Sequence, residues 1–181
     1  MVGRIGSWLL GAALLAAVVF TLWSSEEGAD LVGRGSPAPG FRLPRLEGDA
    51  PLDLADLRGR VVLVNFWATW CAPCEAEMPA MERLYRRLAP EGFELVAISV
   101  DHDVEAVRSF RERLGLSFPI LLDPDQQAAI RYQTFRFPES LLIGPDGVIV
   151  ERYVGAKDWD AQAYVERIRR LRPAKVSSDP A

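Results

Sequence analysis

The run Val61-Val62-Leu63-Val64-Asn65-Phe66-Trp67 leads, after Ala68-Thr69-Trp70, into Cys71-Ala72-Pro73-Cys74, and the chain holds no other cysteine. An apolar, largely β-branched run of this length predicts a strand buried on both faces. A helical pattern follows the C-x-x-C, which sets Cys71 at a strand-to-helix turn. Free backbone N–H groups and the macrodipole at a helix N-terminus favour a thiolate over a thiol, so Cys71 is the expected nucleophile. Cys74 lies one helical turn on, close enough to close a disulfide onto Cys71. So small a loop adds little global stability, which argues against a purely structural bridge. The pair reads instead as a dithiol that can be oxidised and reduced repeatedly.

At 181 residues the chain suits one domain with a sizeable core. A net charge of −4 argues against a nucleic-acid partner. Ile5 to Trp23 carries no charge, and as a helix of roughly 19 residues it can just cross a bilayer core of about 30 Å. Arg4 precedes it and Glu26, Glu27 and Asp30 follow, which predicts a cytoplasmic N-terminus with the rest outside. A cleaved signal peptide is the alternative, but Phe20–Ser24 offers a poor small-x-small site. The expected organisation is a single-pass signal anchor over 1–23, a polar tether over 24–39, a domain over 40–172 and a loose tail over 173–181.

Within the domain, Phe41–Leu43 and Leu52–Leu54 flank Gly48-Asp49 and predict a hairpin. Met78, Met81, Leu84, Tyr85 and Leu88 recur at helical spacing, with Pro79 expected to kink the helix. A strand over 94–100, a helix over 104–114 and a short strand over 119–122 follow. A helix over 125–132, opened by Asp123-Pro124-Asp125, comes next. Strands over 138–143 and 148–154 pair around Gly144-Pro145-Asp146-Gly147, and Asp158 or Asp160 is expected to cap a closing helix. The pattern predicts an α/β sandwich with a mixed sheet.

The stretch Val64-Asn65-Phe66-Trp67-Ala68-Thr69-Trp70-Cys71-Ala72-Pro73-Cys74 resembles the active-site signature of thioredoxin-like proteins. Within them it is similar to the membrane-tethered, extracytoplasmic TlpA/ResA/CcmG group, with the likeness running from about Gly35 to Leu171. Ala38-Pro39-Gly40-Phe41-Arg42-Leu43 is similar to that group's A-P-x-F-x-L opening, and Gly155–Trp159 resembles another of its stretches. The resemblance implies a thioredoxin-like three-layer sandwich with an N-terminal hairpin extension and a TlpA-type insertion. It also implies an enzyme, a thiol–disulfide oxidoreductase whose redox-active Cys71–Cys74 disulfide needs no further cofactor. Cys71 would attack and Cys74 resolve. The substrate implied is a protein disulfide such as that of apocytochrome c during cytochrome c maturation, with electrons from a membrane thiol donor.

Trp70, Pro73, Phe137 and Pro138 are the implied substrate contacts. Phe137-Pro138 takes the place of the cis-proline opposite the dithiol, and Phe137 departs from the smaller residue common there. Glu77 matches a functional glutamate of ResA-like members and would exchange protons with Cys74; the alternative is a solvated glutamate favoured by the helix dipole. Asn65 stands where plain thioredoxins keep a buried aspartate, and it cannot titrate. Glu139 resembles the Pro-Glu of CcmG-like members and either contacts substrate or begins a strand. His102 reads as a solvated loop residue, and Arg167, Arg169, Arg170 and Arg172 as a solvated basic face. Three other readings compete: a copper or zinc chaperone with a thin ligand set, a peroxidase lacking the expected motif, and a disulfide-forming oxidant, since Ala72-Pro73 does not fix the direction.

Overall fold

The computed structural model describes residues 32–172; the expected anchor, residues 24–31 and the tail 173–181 lie outside the described residues. β1 (Arg42–Leu43) and β2 (Leu52–Asp53) form the expected antiparallel hairpin, a small sheet of its own. β3 (Val61–Trp67) leads into α1 (Ala72–Leu88), which runs unbroken through Pro79. β4 (Phe93–Ser99), α2 (Val104–Leu114), β5 (Ile120–Leu122) and α3 (Gln127–Arg131) follow. The chain closes with β6 (Glu139–Ile143), β7 (Ile149–Val154) and α4 (Gln162–Leu171).

The main sheet has the order β5-β4-β3-β6-β7. β3 pairs in parallel with β4, and β4 with β5. β6 runs antiparallel to both β3 and β7. This is the mixed sheet of a thioredoxin-like α/β fold. Every residue of β3, β4 and β6 is buried, which requires cover on both faces and explains why their sequences are apolar runs rather than alternations. Met78, Met81, Leu84 and Leu88 of α1 are fully buried with Leu63, Trp67, Phe93 and Leu95, so the methionines are core. α1 gives way to a 3-10 turn at Ala89–Glu91, and Gly92 (φ 87°) takes the left-handed backbone that turns the chain into β4.

Three expectations need correction. Residues 32–39 are not all tether. The Gly35 N–H donates to the Ile149 carbonyl (2.8 Å), the Ile149 N–H to Ser36 (2.9 Å), and the Ala38 N–H to Gly147 (3.0 Å). Residues 44–46 line β5 likewise, with the Leu46 N–H on Ile120 (2.8 Å) and the Leu122 N–H on Pro44 (3.0 Å). The N-terminal residues thus cover part of both sheet edges, which would otherwise present unpaired backbone.

The helix start at Asp125 is also displaced. Gln126 takes a left-handed backbone (φ 53°), and the buried Asp123 reaches forward to accept the N–H groups of Ala128 and Ala129, each at 3.0 Å. Neither Asp158 nor Asp160 caps α4, which starts from Ala161 without a side-chain cap. Asp160 instead pairs with Arg83 of α1 at 2.5 Å.

Asp123→Ala leaves two first-turn N–H groups of α3 unpaired in a buried position, and its cost is expected to be about 1–2 kcal/mol by urea unfolding. Asp125→Ala, on the exposed neighbour, is expected to stay within about 0.5 kcal/mol of wild type.

Candidate active site

Cys71 is the N-cap of α1. Its backbone is extended (φ −95°, ψ 96°) and its Sγ accepts the Cys74 N–H at 3.3 Å, so the sulfur does the work an aspartate or serine side chain usually does. Cys71 and Cys74 are joined in a disulfide with Cα atoms 5.2 Å apart. Cys74 is fully buried, whereas Cys71 is 6% exposed and Ala72 and Pro73 face solvent. A partner therefore meets Cys71 first. Once reduced, its sulfur lies at the unsatisfied N–H groups of the first helical turn, which favours the thiolate.

The turn before Cys71 is braced from β4. Asp101, just past that strand and buried, accepts the Thr69 N–H (3.0 Å), the Thr69 hydroxyl (2.6 Å) and the Ser99 hydroxyl (2.7 Å). The Cys71 N–H donates back to Ala68 and the Val100 N–H to Trp67. Trp70 is left 69% exposed, its ring edge against Phe137 with centroids 6.1 Å apart. The Phe137–Pro138 peptide bond is cis, as the resemblance implies, and the Pro138 carbonyl accepts the Gly155 N–H at 2.9 Å. The ring contact brings the cysteine turn and the Phe137–Pro138 segment together.

Glu77 is buried, not solvated, at 2% exposure. Its Oε2 accepts the Trp159 indole N–H (2.8 Å) and the Lys157 backbone N–H (3.0 Å), and its Oε1 accepts the Asn65 amide (3.0 Å). Burial pushes the carboxyl above the ordinary range, outweighing the three hydrogen bonds that favour the charged form. A surface cleft of about 270 Å³ is lined by Ala76, Glu77, Pro79 and Lys157 among others. Asn65 also donates to the Ser140 hydroxyl (2.9 Å), which ties β3 to β6 at directly opposed residues.

The remaining candidates fall elsewhere. Glu139 begins β6, is buried and pairs with Arg152 at 2.6 Å. His102 is exposed in its loop. The basic run is no mere solvated face: Arg167 pairs with Glu151 (2.9 Å), while Arg169 (2.7 Å) and Arg172 converge on Glu91. Among the described residues no three His, Cys, Asp or Glu side chains are grouped as metal ligands. Sequence pattern alone does not pair Glu77 with Lys157 and Trp159, nor find Asp101. One signal was present: Asn65, an amide in a buried strand, requires polar partners from other elements.

The AhpC/TSA family model matches residues 34–152. The thiol-disulfide oxidoreductase ResA of Bacillus subtilis is 36% identical over 143 residues, covering 78% of this chain and 79% of that protein. The ResA of Geobacillus kaustophilus is 38% identical over 160 residues, covering 86% and 90%. Among solved structures, a thioredoxin-family thiol:disulfide interchange protein from Chlorobium tepidum is 30% identical with a TM-score of 0.65, covering 75% of this chain and 97% of that one. A secreted disulfide oxidoreductase from Mycobacterium tuberculosis is 28% identical with a TM-score of 0.60, covering 70% and 95%.

Because Glu77 holds its proton more tightly folded than unfolded, the folded chain carries the extra proton between the ordinary value of 4.5 and the raised one. The stability this group contributes is full below that window and lost as pH rises through it. Glu77→Gln is expected to flatten the decline, measured as urea midpoints of the oxidised protein from about pH 4 to pH 8. An unchanged slope would contradict the buried, proton-holding carboxyl.

Proposed function

The chain belongs to the AhpC/TSA family and is a thioredoxin-like thiol–disulfide oxidoreductase, and from that premise we propose that it reduces protein disulfides outside the cytoplasmic membrane. The observation that carries the reading is a disulfide at a helix N-terminus of which only the first cysteine reaches the surface. In the reduced enzyme the Cys71 thiolate attacks one sulfur of a substrate disulfide. That S–S bond breaks, a mixed disulfide forms on Cys71, and the other substrate sulfur leaves as a thiolate. Cys74, losing its proton, then attacks the Cys71 sulfur, releases the second substrate thiol and closes the Cys71–Cys74 disulfide. Two electrons pass to the substrate, and a donor dithiol returns them.

Glu77 is the group proposed to take up the Cys74 proton. It follows Cys74 by one helical turn, burial makes its ionised form a stronger base than a free carboxylate, and Glu77 is among the residues that line a surface cleft. Trp70, Pro73, Phe137 and Pro138 are the proposed substrate contacts, supported by the Trp70–Phe137 ring pair and the exposed Pro73. Apocytochrome c, whose cysteines must be reduced before haem attachment, is the proposed substrate, and a membrane thiol carrier the proposed donor. The uncharged Ile5–Trp23 run supports a membrane anchor. Among the described residues no helix is long and apolar enough to cross a membrane, so an anchor would lie in that N-terminal segment.

The equilibrium potential of the Cys71–Cys74 couple tests the direction. A value near or below about −250 mV is expected for a reductase, and one near −120 mV would make the protein an oxidant. Cys74→Ser is expected to trap the substrate as a mixed disulfide on Cys71, and Cys71→Ser to trap none, read on non-reducing gels. Glu77→Gln is expected to shift the pH profile of thiol exchange; unchanged cysteine pKa values and rates would remove Glu77 from the mechanism.

A further inference from the structure

Arg152, on β7, has five N–H donors in a fixed planar fork, and all five find acceptors. Nε donates to the Glu139 carboxylate (2.6 Å). One terminal nitrogen donates to the carbonyls of Val32 (2.7 Å) and Tyr132 (2.9 Å). The other donates to the Gln133 carbonyl (2.7 Å) and the Thr134 hydroxyl (3.4 Å). The pair with Glu139 is well buried, the side chains being 20% and 6% exposed.

These acceptors bracket one loop. Tyr132 to Thr134 leave the end of α3, where carbonyls lack helical donors, and Gln133 turns the chain with a left-handed backbone (φ 52°). Phe135, 74% exposed, then Arg136 and Phe137 follow, before the chain enters β6 at Glu139. Both ends of the Phe135–Pro138 loop are therefore fastened to a single guanidinium. The loop's far side meets Trp70, next to Cys71.

We propose that Arg152 is a positioning residue for protein substrates: by fixing both ends of the Phe135–Pro138 loop, it sets Phe137 against Trp70 at the edge of the dithiol. It does so without touching sulfur or substrate. The inference rests on the reading that this loop meets the substrate. A polypeptide disulfide needs that surface; a small disulfide needs only the Cys71 sulfur.

Arg152→Met and Arg152→Lys in the full chain test this, each reduced and then reacted with insulin and, separately, with glutathione disulfide. The rate constant with insulin is expected to fall about tenfold for Arg152→Met and less for Arg152→Lys, which keeps the charge but loses the fork. The rate with glutathione disulfide and the potential of the Cys71–Cys74 couple are expected to stay at wild-type values. A general disturbance of the fold would lower both rates together. Equal losses on both disulfides, a shifted potential or an unchanged insulin rate would overturn the proposal. Should Arg152→Met not fold, Arg152→Lys decides alone, selective loss supporting the proposal and its absence overturning it. Wild-type protein that reduces neither disulfide would overturn the underlying oxidoreductase reading as well.

Discussion

A carboxyl group buried one turn from a reactive dithiol must be held by donors from elsewhere in the chain, because an unpaired buried acid is costly. Glu77 draws its donors from β3 through Asn65, and from the segment after β7 through the Lys157 backbone and the Trp159 indole. Asn65 passes the connection on to Ser140 of β6. The helix that Cys71 caps and that carries Cys74 is thus tied by one side chain to the central strand, the strand beside it and the closing segment. Trp159 is itself fixed, packed edge-on against Tyr153 and tilted against Tyr164 with ring centroids 5.2 and 5.0 Å away. The Asn65 Oδ1 is buried and has no partner among the described residues.

Asp101 does for the turn before Cys71 what Glu77 does for the helix after Cys74. It accepts backbone and side-chain donors from Thr69 and the hydroxyl of Ser99, so the turn is referenced to β4. The Cys71 sulfur is then left to cap α1 by accepting the Cys74 N–H. The atom that caps the helix is the atom proposed to react, and the same N–H groups that complete the helix favour its charged form.

What was legible in the sequence follows from how far each determinant reaches along the chain. The two cysteines, the strand before them and the helix after them are local, and burial of β3 and β4 on both faces writes itself into unbroken apolar runs. The place of Phe137-Pro138 came through likeness to a family, not through periodicity. Residues 32–39 were misjudged because their pairing with 147–149 uses backbone groups, and a Gly-rich polar stretch looks the same free or paired. The helix expected from Asp125 starts only at Gln127, because the left-handed turn at Gln126 lets Asp123 reach forward to Ala128 and Ala129. Asp160 was drawn to Arg83, far away in the chain. The bond between Glu77 and Trp159 joins residues 82 positions apart, and no local pattern encodes it.

Three buried acids therefore flank the dithiol's surroundings: Asp101 at the turn, Glu77 on the helix and Glu139 at the foot of the Phe135–Pro138 loop. Apolar residues of similar volume would fill those places without the desolvation penalty, and often with equal or better stability. They would not fix direction. A hydrogen bond weakens steeply with angle, so a carboxyl with several donors holds its segment in orientation as well as in position. Thiol–disulfide exchange needs the attacking sulfur and both sulfurs of the target brought together in a defined approach. Asp101, Glu77 and Glu139 hold the segments from which such an approach is set, and the apolar core supplies the stability that makes these buried acids tolerable.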